Sequence, residues 1–391
     1  MRRYRVGILG YGFIGRVHAW AHANLRFHYN LPFETEIVRV ATSRPETAKR
    51  AAAELGAEWT VESTEVTEAD DIDVVHICTP NNLHHAALLE AIGAGKHIYC
   101  DKPLVVSAEE ASSIRRAAEA SRANTQSPPA FGMTFHNRFF PATMHARRLV
   151  EQEFLGTPLS YRAAYLHSGS ASPDAPLKWK LSAQAGGGVI RDLASHALDL
   201  VSWLLGDYTE VRAVTDIAYS QRPDPDDPSV RRTVDAEDNV LLVTRMLPRV
   251  SPEHRPEPIP GVIEASKVAT GSEDELRVEI HGSLGALRFN TMDPHHLEIY
   301  DRRESPYRGT APGGWTRLQT GGRYPEPALE FPSPKNAVGW LRAHLACVAS
   351  FMQHVDAGTQ PEPGLEDGLY IQQIIDAVDR SAASGQPTHL Q

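Results

Sequence analysis

Three titratable residues, Lys102, Asp192 and His196, have the types and positions that proton transfer needs. Asp192 and His196 are four positions apart, so on a helix their side chains would share one face. A histidine exchanges protons near neutral pH, and a carboxylate beside it can hold its ring and favour the charged imidazolium. Lys102 follows an apolar run, where its ammonium could donate to a reacting oxygen. The alternatives are a surface lysine, a helix-capping aspartate and a histidine packed in the core.

A glycine-rich turn lies near the start of the chain, where residues 10–15 read Gly-Tyr-Gly-Phe-Ile-Gly. It follows an apolar run and precedes a helical pattern, which is the context of a dinucleotide-binding turn. The three glycines would allow a tight turn, close approach of a pyrophosphate and close packing of the helix. The helix N-terminus would supply N–H donors to the anion. We therefore expect Gly10, Gly12, Phe13, Ile14 and Gly15 to bind a dinucleotide, the alternative being a turn that only packs.

The end of the second predicted strand bears on which dinucleotide is bound. A carboxylate there would bind a ribose 2′-hydroxyl and select NAD, but the strand runs into Thr42, Ser43 and Arg44. Ser43 could donate a hydrogen bond to a 2′-phosphate, and Arg44 could pair with its charge. We predict that these three residues bind the cofactor and that NADP(H) is favoured over NAD(H). The alternative is that Arg44 only starts the next helix in solvent.

The elements that must hold these residues alternate between strands and helices in the first third of the chain. This alternation predicts a parallel sheet with right-handed crossovers. Predicted strands span 5–9, 36–41, 73–78, 96–100 and 130–135, and predicted helices span 14–26, 45–55, 82–93 and 107–123. Lys102 then falls at the carboxyl edge of the sheet, where ligands bind in such folds.

The rest of the chain has the period-two pattern of antiparallel strands. Predicted strands span 161–166, 211–218, 240–246, 276–281 and 286–290, and the last two form a hairpin through Gly-Ser-Leu-Gly. The proline-rich stretches 219–275 and 305–335 resemble loops, and helices are expected at 337–357 and 365–384. The predicted fold is α/β, with a dinucleotide-binding domain at 1–126 and an α+β substrate-binding and oligomerisation domain at 127–391.

Composition excludes several classes of function. The 391 residues carry 39 Lys and Arg against 49 Asp and Glu, a net charge of -10, which disfavours nucleic-acid and anionic-membrane binding. No run approaches the roughly 18 apolar residues of a membrane span. Three cysteines without metal-site spacing fit a reduced, cytoplasmic compartment. His18 and His22 have a spacing that suits zinc, but no third ligand is evident and we expect no metal.

Two further motifs carry a resemblance to a known family. Residues 79–84 read Thr-Pro-Asn-Asn-Leu-His and 95–103 read Gly-Lys-His-Ile-Tyr-Cys-Asp-Lys-Pro, while 186–200 read Gly-Gly-Gly-Val-Ile-Arg-Asp-Leu-Ala-Ser-His-Ala-Leu-Asp-Leu. With the glycine-rich turn, they resemble the glucose-fructose oxidoreductase, inositol dehydrogenase and MocA (Gfo/Idh/MocA) family. The resemblance implies a Rossmann domain followed by a domain with an open, mainly antiparallel sheet. It also implies a homodimer or homotetramer, formed through the exposed face of that sheet.

The resemblance implies NAD(P)-dependent hydride transfer at a hydroxyl-bearing carbon of a sugar, glycoside or cyclitol. Residues 172–180 look most like those of members acting on anhydrosugars and glycosides. His196 would be the general base in oxidation, Asp192 would orient it or bind a hydroxyl, and Lys102 would donate to the reacting oxygen. Asp101 replaces the glutamate usual in the family, so we expect altered geometry around a retained lysine.

Further residues are assigned to the cofactor and the substrate. Besides the glycine-rich turn and residues 42–44, the predicted cofactor-binding residues are Thr79, Pro80, Asn81, His84, Asp101 and Lys102. Besides Asp192 and His196, the predicted substrate-binding residues are Arg138, Tyr165 and Trp179. The alternatives are a solvent-facing His84 at a helix start and a Trp179 that only packs.

Two other functions fit the same residues. In redox-assisted elimination, transient oxidation at a ring carbon would let a glycosidic bond break while the cofactor is recycled, so no net reduced cofactor would accumulate. A non-catalytic dinucleotide sensor is the second alternative, but a sensor has no need of Lys102, Asp192 and His196 together.

Overall fold

The computed structural model describes residues 1–123, 125, 127–250, 257–304, 314–321, 331, 336 and 339–390. The helices are α1 (Phe13–His28), α2 (Pro45–Leu55), α3 (Thr64–Thr67), α4 (His84–Gly93), α5 (Ala108–Ala123), α6 (Pro141–Glu151), α7 (Ser195–Leu205), α8 (Leu341–Ala357) and α9 (Leu365–Ser384). The strands are β1 (Arg2–Leu9), β2 (Phe33–Ala41), β3 (Glu58–Thr60), β4 (Val74–Ile77), β5 (His97–Cys100), β6 (Phe131–Met133), β7 (Pro158–Leu166), β8 (Gly206–Asp216), β9 (Gln221–Pro223), β10 (Arg231–Thr233), β11 (Asn239–Pro248), β12 (Ile259–Ser266), β13 (Glu275–Gly282), β14 (Gly285–Asn290), β15 (His296–Asp301), β16 (Thr316–Gln319) and β17 (Thr388–His389).

A six-stranded parallel sheet in the order β3-β2-β1-β4-β5-β6 forms the centre of the first of two compact units. Residues 6–9 of β1 and 74–77 of β4 are buried and mostly apolar, as expected where helices cover both faces of a parallel sheet, and Val6, Ile8, Val74 and Val75 are fully buried. The predicted parallel sheet is confirmed. The carboxyl ends of β1, β2, β4 and β5 bring the predicted cofactor-binding loops to one edge.

The first unit is completed by residues from the C-terminal part of the chain. It contains Met1–Phe139 and Leu341–Gln372. On α8, the Asp356 carboxylate accepts a hydrogen bond of 2.9 Å from the Tyr4 hydroxyl of β1, and the Phe351 ring lies 4.9 Å from that of Tyr99. Without these residues, Tyr4 and Tyr99 would lose a polar and an aromatic partner. The domain boundary at 126/127 stays a prediction.

A nine-stranded sheet dominates the second unit, in the order β16-β15-β14-β13-β7-β12-β11-β8-β17. All of its pairings are antiparallel except that of β7 with β12, which is parallel. The predicted hairpin is present as β13 and β14. This arrangement confirms the expected open, mainly antiparallel sheet.

The strand predicted at 240–246 is present as β11, but the expectation that the rest of 219–275 resembles a loop is wrong, because it also includes β9, β10 and the inner strand β12. Pro260 and Gly261 lie within β12 and obscure its alternating pattern, in which Ile259, Ile263 and Ala265 are buried. The missing side chain of Gly261 makes room for the Tyr161 ring, since a Cβ there would lie 2.0 Å from that ring. Within 305–335, residues 316–319 form β16, while 305–313, 322–330 and 332–335 lie outside the described residues.

The helices expected at the C-terminus are present, one with a later start. The second spans Leu365–Ser384 as predicted, whereas the first begins at Leu341 rather than at 337. Residues 337–338 lie outside the described residues. None of the helices in the described part of the chain has the length and hydropathy required to cross a membrane.

Candidate active site

The glycine-rich turn has the form that a bound diphosphate requires. Gly10 joins β1 to the turn with a φ of 86°, and a Cβ there would lie 2.5 Å from the carbonyl oxygen of Cys78. Gly12 is the N-cap of α1, and a Cβ on it would meet no atom within 4 Å, so the backbone faces open space. The first turn of α1 carries no acidic residue and its cap no side-chain hydrogen bond. The N–H groups of this helix end therefore suit an anion.

The loop after β2 leaves a basic side chain in solvent. Thr42 and Thr47 both donate to the carbonyl of Arg44, at 3.0 and 2.9 Å, and so fix the backbone between β2 and α2. The Arg44 side chain is exposed and forms no ion pair with any described residue. It is available to an anion, as the predicted contact with a 2′-phosphate needs.

The loop after β4 lies against the glycine-rich turn. Thr79 follows β4, and its hydroxyl is buried without a hydrogen-bond partner among the described residues. Asn81, also buried, opens a short 3₁₀ turn that leads into α4. A buried hydroxyl of this kind is costly unless a ligand or water satisfies it. The loop therefore fits the predicted cofactor contact.

His84 is buried, so the solvent-facing alternative is wrong. Its Nδ1 lies 3.0 Å from the carbonyl oxygen of Pro103, and its Nε2 lies 3.0 Å from that of Thr79. A neutral imidazole can donate to only one of them at a time. The ring thus links the Thr79 loop to the Lys102-Pro103 turn, while its predicted contact with the cofactor stays a prediction.

Lys102 lies at the carboxyl edge of the parallel sheet, as predicted. Asp101 follows β5, and its carboxylate accepts a hydrogen bond of 2.9 Å from the backbone N–H of Lys102. The Lys102-Pro103 peptide bond is cis, and Lys102 is only 9 % exposed. Asp101, the residue that departs from the family pattern, therefore fixes the backbone of Lys102.

Arg138 is held by acidic residues of the first unit. Its guanidinium, 5 % exposed, pairs with Asp367 at 2.8 Å and with Glu362 at 3.5 Å. These ion pairs tie the 3₁₀ turn of residues 136–139 to the start of α9. The contacts give Arg138 a structural role, and its predicted contact with substrate stays a prediction.

In the second unit, Asp192 does not lie on the regular helix that the sequence predicts. Residues 190–194 form a π-helical turn, a wider turn often found at functional sites. One Asp192 oxygen lies 2.8 Å from Lys180 Nζ, and the other lies 3.4 Å from Lys267 Nζ. Two ammonium groups therefore hold this carboxylate in place.

The turn before Asp192 depends on a glycine. Gly188 has a φ of 109°, and a Cβ on it would lie 2.3 Å from Glu237 Oε1. The Glu237 carboxylate also accepts a hydrogen bond of 3.0 Å from the backbone N–H of Ile190, and burial raises its pKa. Glu237 thus fixes the start of the π turn that carries Asp192.

His196 is the second residue of α7 and is 6 % exposed. Its ring centroid lies 5.8 Å from that of Tyr165 on β7. The Tyr165 hydroxyl donates to Asp274 at 2.7 Å, and His167 Nε2 lies 2.9 Å from the same oxygen. Burial, with the Asp274 carboxylate, raises the pKa of Tyr165 well above its usual value, so this phenol stays protonated.

Trp179 offers a partly exposed ring beside this cluster. It begins a 3₁₀ turn, is 38 % exposed, and its neighbour Lys180 pairs with Asp192. The structure thus brings Asp192, His196, Tyr165 and Trp179 to one region of the second unit. The predicted roles of these residues are not tested by their positions.

Residues 4–126 match the model of an oxidoreductase family with an NAD-binding Rossmann fold, Gfo/Idh/MocA, and residues 143–288 match its C-terminal domain. The chain belongs to the Gfo/Idh/MocA family of oxidoreductases. It is 29 % identical to levoglucosan dehydrogenase of Pseudarthrobacter phenanthrenivorans over 98 % of this chain and 97 % of that protein. It is 28 % identical to inositol 2-dehydrogenase of Rhizobium meliloti over 97 % of each. A structure of levoglucosan dehydrogenase in complex with NADH and levoglucosan matches with a TM-score of 0.89 and 27 % identity over 100 % of both chains.

Membership in the Gfo/Idh/MocA family confirms the expected fold, the resemblance and a nicotinamide dinucleotide as cofactor. The choice between NAD and NADP, the acid–base residues, the oligomeric state and the cytoplasmic location stay predictions. Among the described residues, no group of three or more His, Cys, Asp or Glu is arranged to hold a metal ion.

Several residues that shape the site of this Gfo/Idh/MocA protein were missed by the sequence reasoning. They are Lys180, Lys267, Glu237, His167 and Asp274. Lys267 and Glu237 fall within the stretch assigned to a loop, and Lys180 was noted only as part of a motif. The signal for Lys267 was its place directly after the apolar alternation of β12.

Proposed function

We propose that this protein is a dehydrogenase that acts on a hydroxyl-bearing carbon of a sugar, glycoside or cyclitol. The nicotinamide ring accepts the hydride when the cofactor is bound. The protein must take up the hydroxyl proton and stabilise the charge that develops on the oxygen. The similarity to a levoglucosan dehydrogenase over nearly the whole chain favours a carbohydrate substrate.

The observation that carries this proposal is the burial of two proton-handling side chains at motif positions. Lys102 is 9 % exposed at the edge of the parallel sheet, and His196 is 6 % exposed at the start of α7. Lysine side chains are rarely buried unless they are paired, and histidine side chains are buried less often than apolar ones. His196 also follows the π turn at 190–194, and such turns are frequent at functional sites.

We assign the chain's own groups as follows. His196 takes the hydroxyl proton as general base in oxidation and returns it in reduction. The Lys102 ammonium donates to the same oxygen and stabilises its negative charge. Asp192 orients His196 or binds a neighbouring substrate hydroxyl. The exposed Trp179 ring and the Tyr165 hydroxyl favour a polyhydroxylated ring as substrate.

The glycine-rich turn, residues 42–44 and the Thr79 loop would hold the cofactor, and the exposed Arg44 favours NADP(H). The structure of levoglucosan dehydrogenase with NADH keeps NAD(H) as the alternative. We expect Arg44→Ala to raise the Kd for NADPH by about 10- to 100-fold, the value of one lost charge-assisted hydrogen bond or two. The Kd for NADH should change less than about threefold, because NADH lacks the 2′-phosphate. Fluorescence titration measures both constants.

Arg50, exposed on α2, offers a matched control. Arg50→Ala removes an equal charge from the helix that follows Arg44 and leaves the loop after β2 unchanged, so both constants should stay near those of the wild type. Equal losses for the two cofactors in Arg44→Ala would mean that the arginine makes no specific contact.

The function is tested by following absorbance at 340 nm, where reduced nicotinamide absorbs, with both cofactors and a panel of anhydrosugars, glycosides, free sugars and cyclitols. We expect reduced cofactor to accumulate in a one-to-one ratio with oxidised sugar. Glycoside cleavage without accumulation would support redox-assisted elimination instead. Cofactor binding without turnover on the whole panel would support a dinucleotide sensor.

We also propose that the protein is a homodimer or homotetramer formed through the open face of the nine-stranded sheet. Val214 pairs across strands with Leu241, and Val243 with Val262, and these four side chains are 46 to 64 % exposed. We expect this apolar stripe to contact another copy of the chain, because continuous exposed apolar patches mark interfaces, whereas single exposed apolar residues are common.

Light scattering should give two or four times the mass of the chain for the wild type. Val243→Glu should shift the protein to monomers, because it buries a charge without a partner in the contact. Val61→Glu changes another exposed valine, which lies in the first unit, and should leave the mass unchanged. A monomeric wild type would exclude the stripe as an interface between copies.

A further inference from the structure

Lys267 is a buried cation that the acid–base assignment does not use. It directly follows β12, and its backbone N–H donates to the carbonyl of Asp238 at 2.8 Å. β12 is an inner strand, paired with β7 on one side and β11 on the other. The backbone of Lys267 is therefore held by the sheet itself, and its side chain is 7 % exposed.

The Lys267 ammonium joins segments that are far apart in the chain. It donates to the carbonyl of Lys180 at 3.1 Å and lies 3.4 Å from a carboxylate oxygen of Asp192. The same Lys180 carbonyl also accepts a hydrogen bond of 2.9 Å from the backbone N–H of Gly188. One ammonium thus connects the sheet, the Trp179–Leu181 turn and the π turn that carries Asp192.

The two cations on Asp192 are not equivalent. The Lys180 side chain is 46 % exposed, so solvent weakens its ion pair, whereas Lys267 is almost completely buried. Burial lowers the pKa of Lys267, and the Asp192 carboxylate acts in the opposite direction. Losing either partner would leave the other charge buried and less compensated, so Lys267 and Asp192 depend on one another.

We propose that Lys267 is a positioning residue, which fixes the Asp192 carboxylate for the dehydrogenase reaction proposed above. The exposed Lys180 is a weaker partner that solvent can replace. This inference rests on the proposed function for its effect on turnover, but its structural part, the dependence of Asp192 on Lys267, can be measured without any substrate.

The first experiment is a cycle of variants followed by thermal unfolding. Lys267→Met should lower Tm by roughly 3–6 °C, because it removes a buried cation from a largely buried carboxylate. The double variant Lys267→Met/Asp192→Asn should recover at least half of that loss, since an amide needs no cation. If the Tm changes caused by Lys267→Met and Asp192→Asn simply add in the double variant, the proposal is overturned.

Lys96 supplies a matched control, because it is another buried lysine whose ammonium donates to backbone carbonyls, those of Ala69 and Ile72, at 2.6 and 2.9 Å. Lys96→Met should also lower Tm, but its effect should add to that of Asp192→Asn. The comparison of the Lys267 and Lys96 variants therefore separates coupling with Asp192 from the general loss of stability when a buried ammonium is removed.

The second experiment follows the reaction of the full protein with a substrate from the panel. Lys267→Met should lower kcat at least tenfold and move the acid limb of the kcat/KM profile up by about one pH unit, because Asp192 loses a neighbouring cation. The Kd for the cofactor should stay within about twofold, and Lys267→Arg should restore the limb, because it keeps the charge. Lys96→Met should not move it.

An unmoved acid limb in Lys267→Met would overturn the positioning role, even if kcat falls. A wild type that turns over no substrate while the Tm cycle shows coupling would instead refute the proposed function and leave the link between Lys267 and Asp192 in place. The two failures are therefore distinguishable.

Discussion

Replacing His196 by Ala should lower kcat by about 10²- to 10⁴-fold, the usual contribution of a positioned general acid or base. Lys102→Met should cause a loss of the same order, because it removes the donor that stabilises charge on the reacting oxygen. Both side chains are nearly buried at their motif positions, so solvent cannot readily supply the missing group. Stopped-flow and steady-state rates at 340 nm measure the change.

Cofactor affinity distinguishes lost chemistry from lost structure. We expect the Kd for the cofactor to change little in either variant, since the glycine-rich turn and the loops after β2 and β4 supply most contacts. His281→Ala changes a partly exposed histidine of β13 that pairs with Glu279, and Lys96→Met removes a buried ammonium of the first unit. Both controls should retain most of their activity. Full activity in His196→Ala or Lys102→Met would refute that residue's assignment.

The free energy of unfolding should fall steeply as the pH drops from 7 to 5, because the first unit buries a chain of neutral histidines. His22 Nε2 lies 2.9 Å from His76 Nε2, and His76 Nδ1 lies 3.1 Å from His18 Nδ1. Thr35 lies at one end of this chain, 3.0 Å from His22, and Cys78 at the other, 3.2 Å from His18.

Burial sets the direction of the effect. It lowers the pKa of His18 to about 3 and of His22 to about 4, and it lowers that of His76 well below its usual value. Neighbouring histidines, including His136 beside His18, add to the shift for His18 and His76, and Tyr99 faces the cluster as an uncharged ring.

In the unfolded chain these histidines titrate near pH 6.5, so below that pH unfolding takes up protons that the folded state excludes. Their full contribution to stability is therefore present above about pH 6.5 and is lost as the pH falls towards 3 to 4, where the folded chain is protonated as well. At pH 5 the loss is about 2 kcal/mol for each of His18 and His22, or about 4 kcal/mol for the two, and the lowered pKa of His76 adds to it. The loss from two histidines is already a large part of the total stability of many proteins, about 5–15 kcal/mol.

Denaturant unfolding at several pH values measures this dependence. His76→Leu should reduce the slope below pH 6 by about one proton, or about 1.4 kcal/mol per pH unit, even though it also removes two hydrogen bonds. His389→Asn alters a histidine whose side chain is 77 % exposed and should leave the slope unchanged. A flat dependence between pH 7 and 5 would mean that these rings are protonated in the folded protein.

The sequence was sufficient to predict helices and strands whose signals lie within the element itself. Helix α2 begins at the proline and ends before Gly56, which has a φ of 68°, as both residue types favour. Strand β12 was missed because Pro260 and Gly261 lie inside it, and the reason for Gly261 is the packing of Tyr161, which is remote in sequence. The π turn was also missed, because nothing in residues 190–194 separates it from a regular helix.

Site residues that belong to a sequence motif were predictable, whereas site residues that reach the site from a remote part of the chain were not. The sequence indicated Asp192 and His196, but Lys267 reaches Asp192 only because β12 lies inside the sheet. His18 and His22 were noticed as a pair on a helix, yet their link is His76 from a parallel strand. The available sign was a histidine inside the apolar run Val-Val-His-Ile, because a buried histidine needs a polar partner in the core.

The contribution of α8 to the N-terminal sheet has a consequence for how this protein is made. Residues 1–139 leave the ribosome about 200 residues before the helix that supplies Asp356 and Phe351. Until that helix is synthesised, the surfaces of Tyr4 and Tyr99 in the nascent Rossmann part stay uncovered. Its maturation is therefore tied to the synthesis of α8, and a chain cut short after β16 would still carry an unfinished nucleotide-binding half.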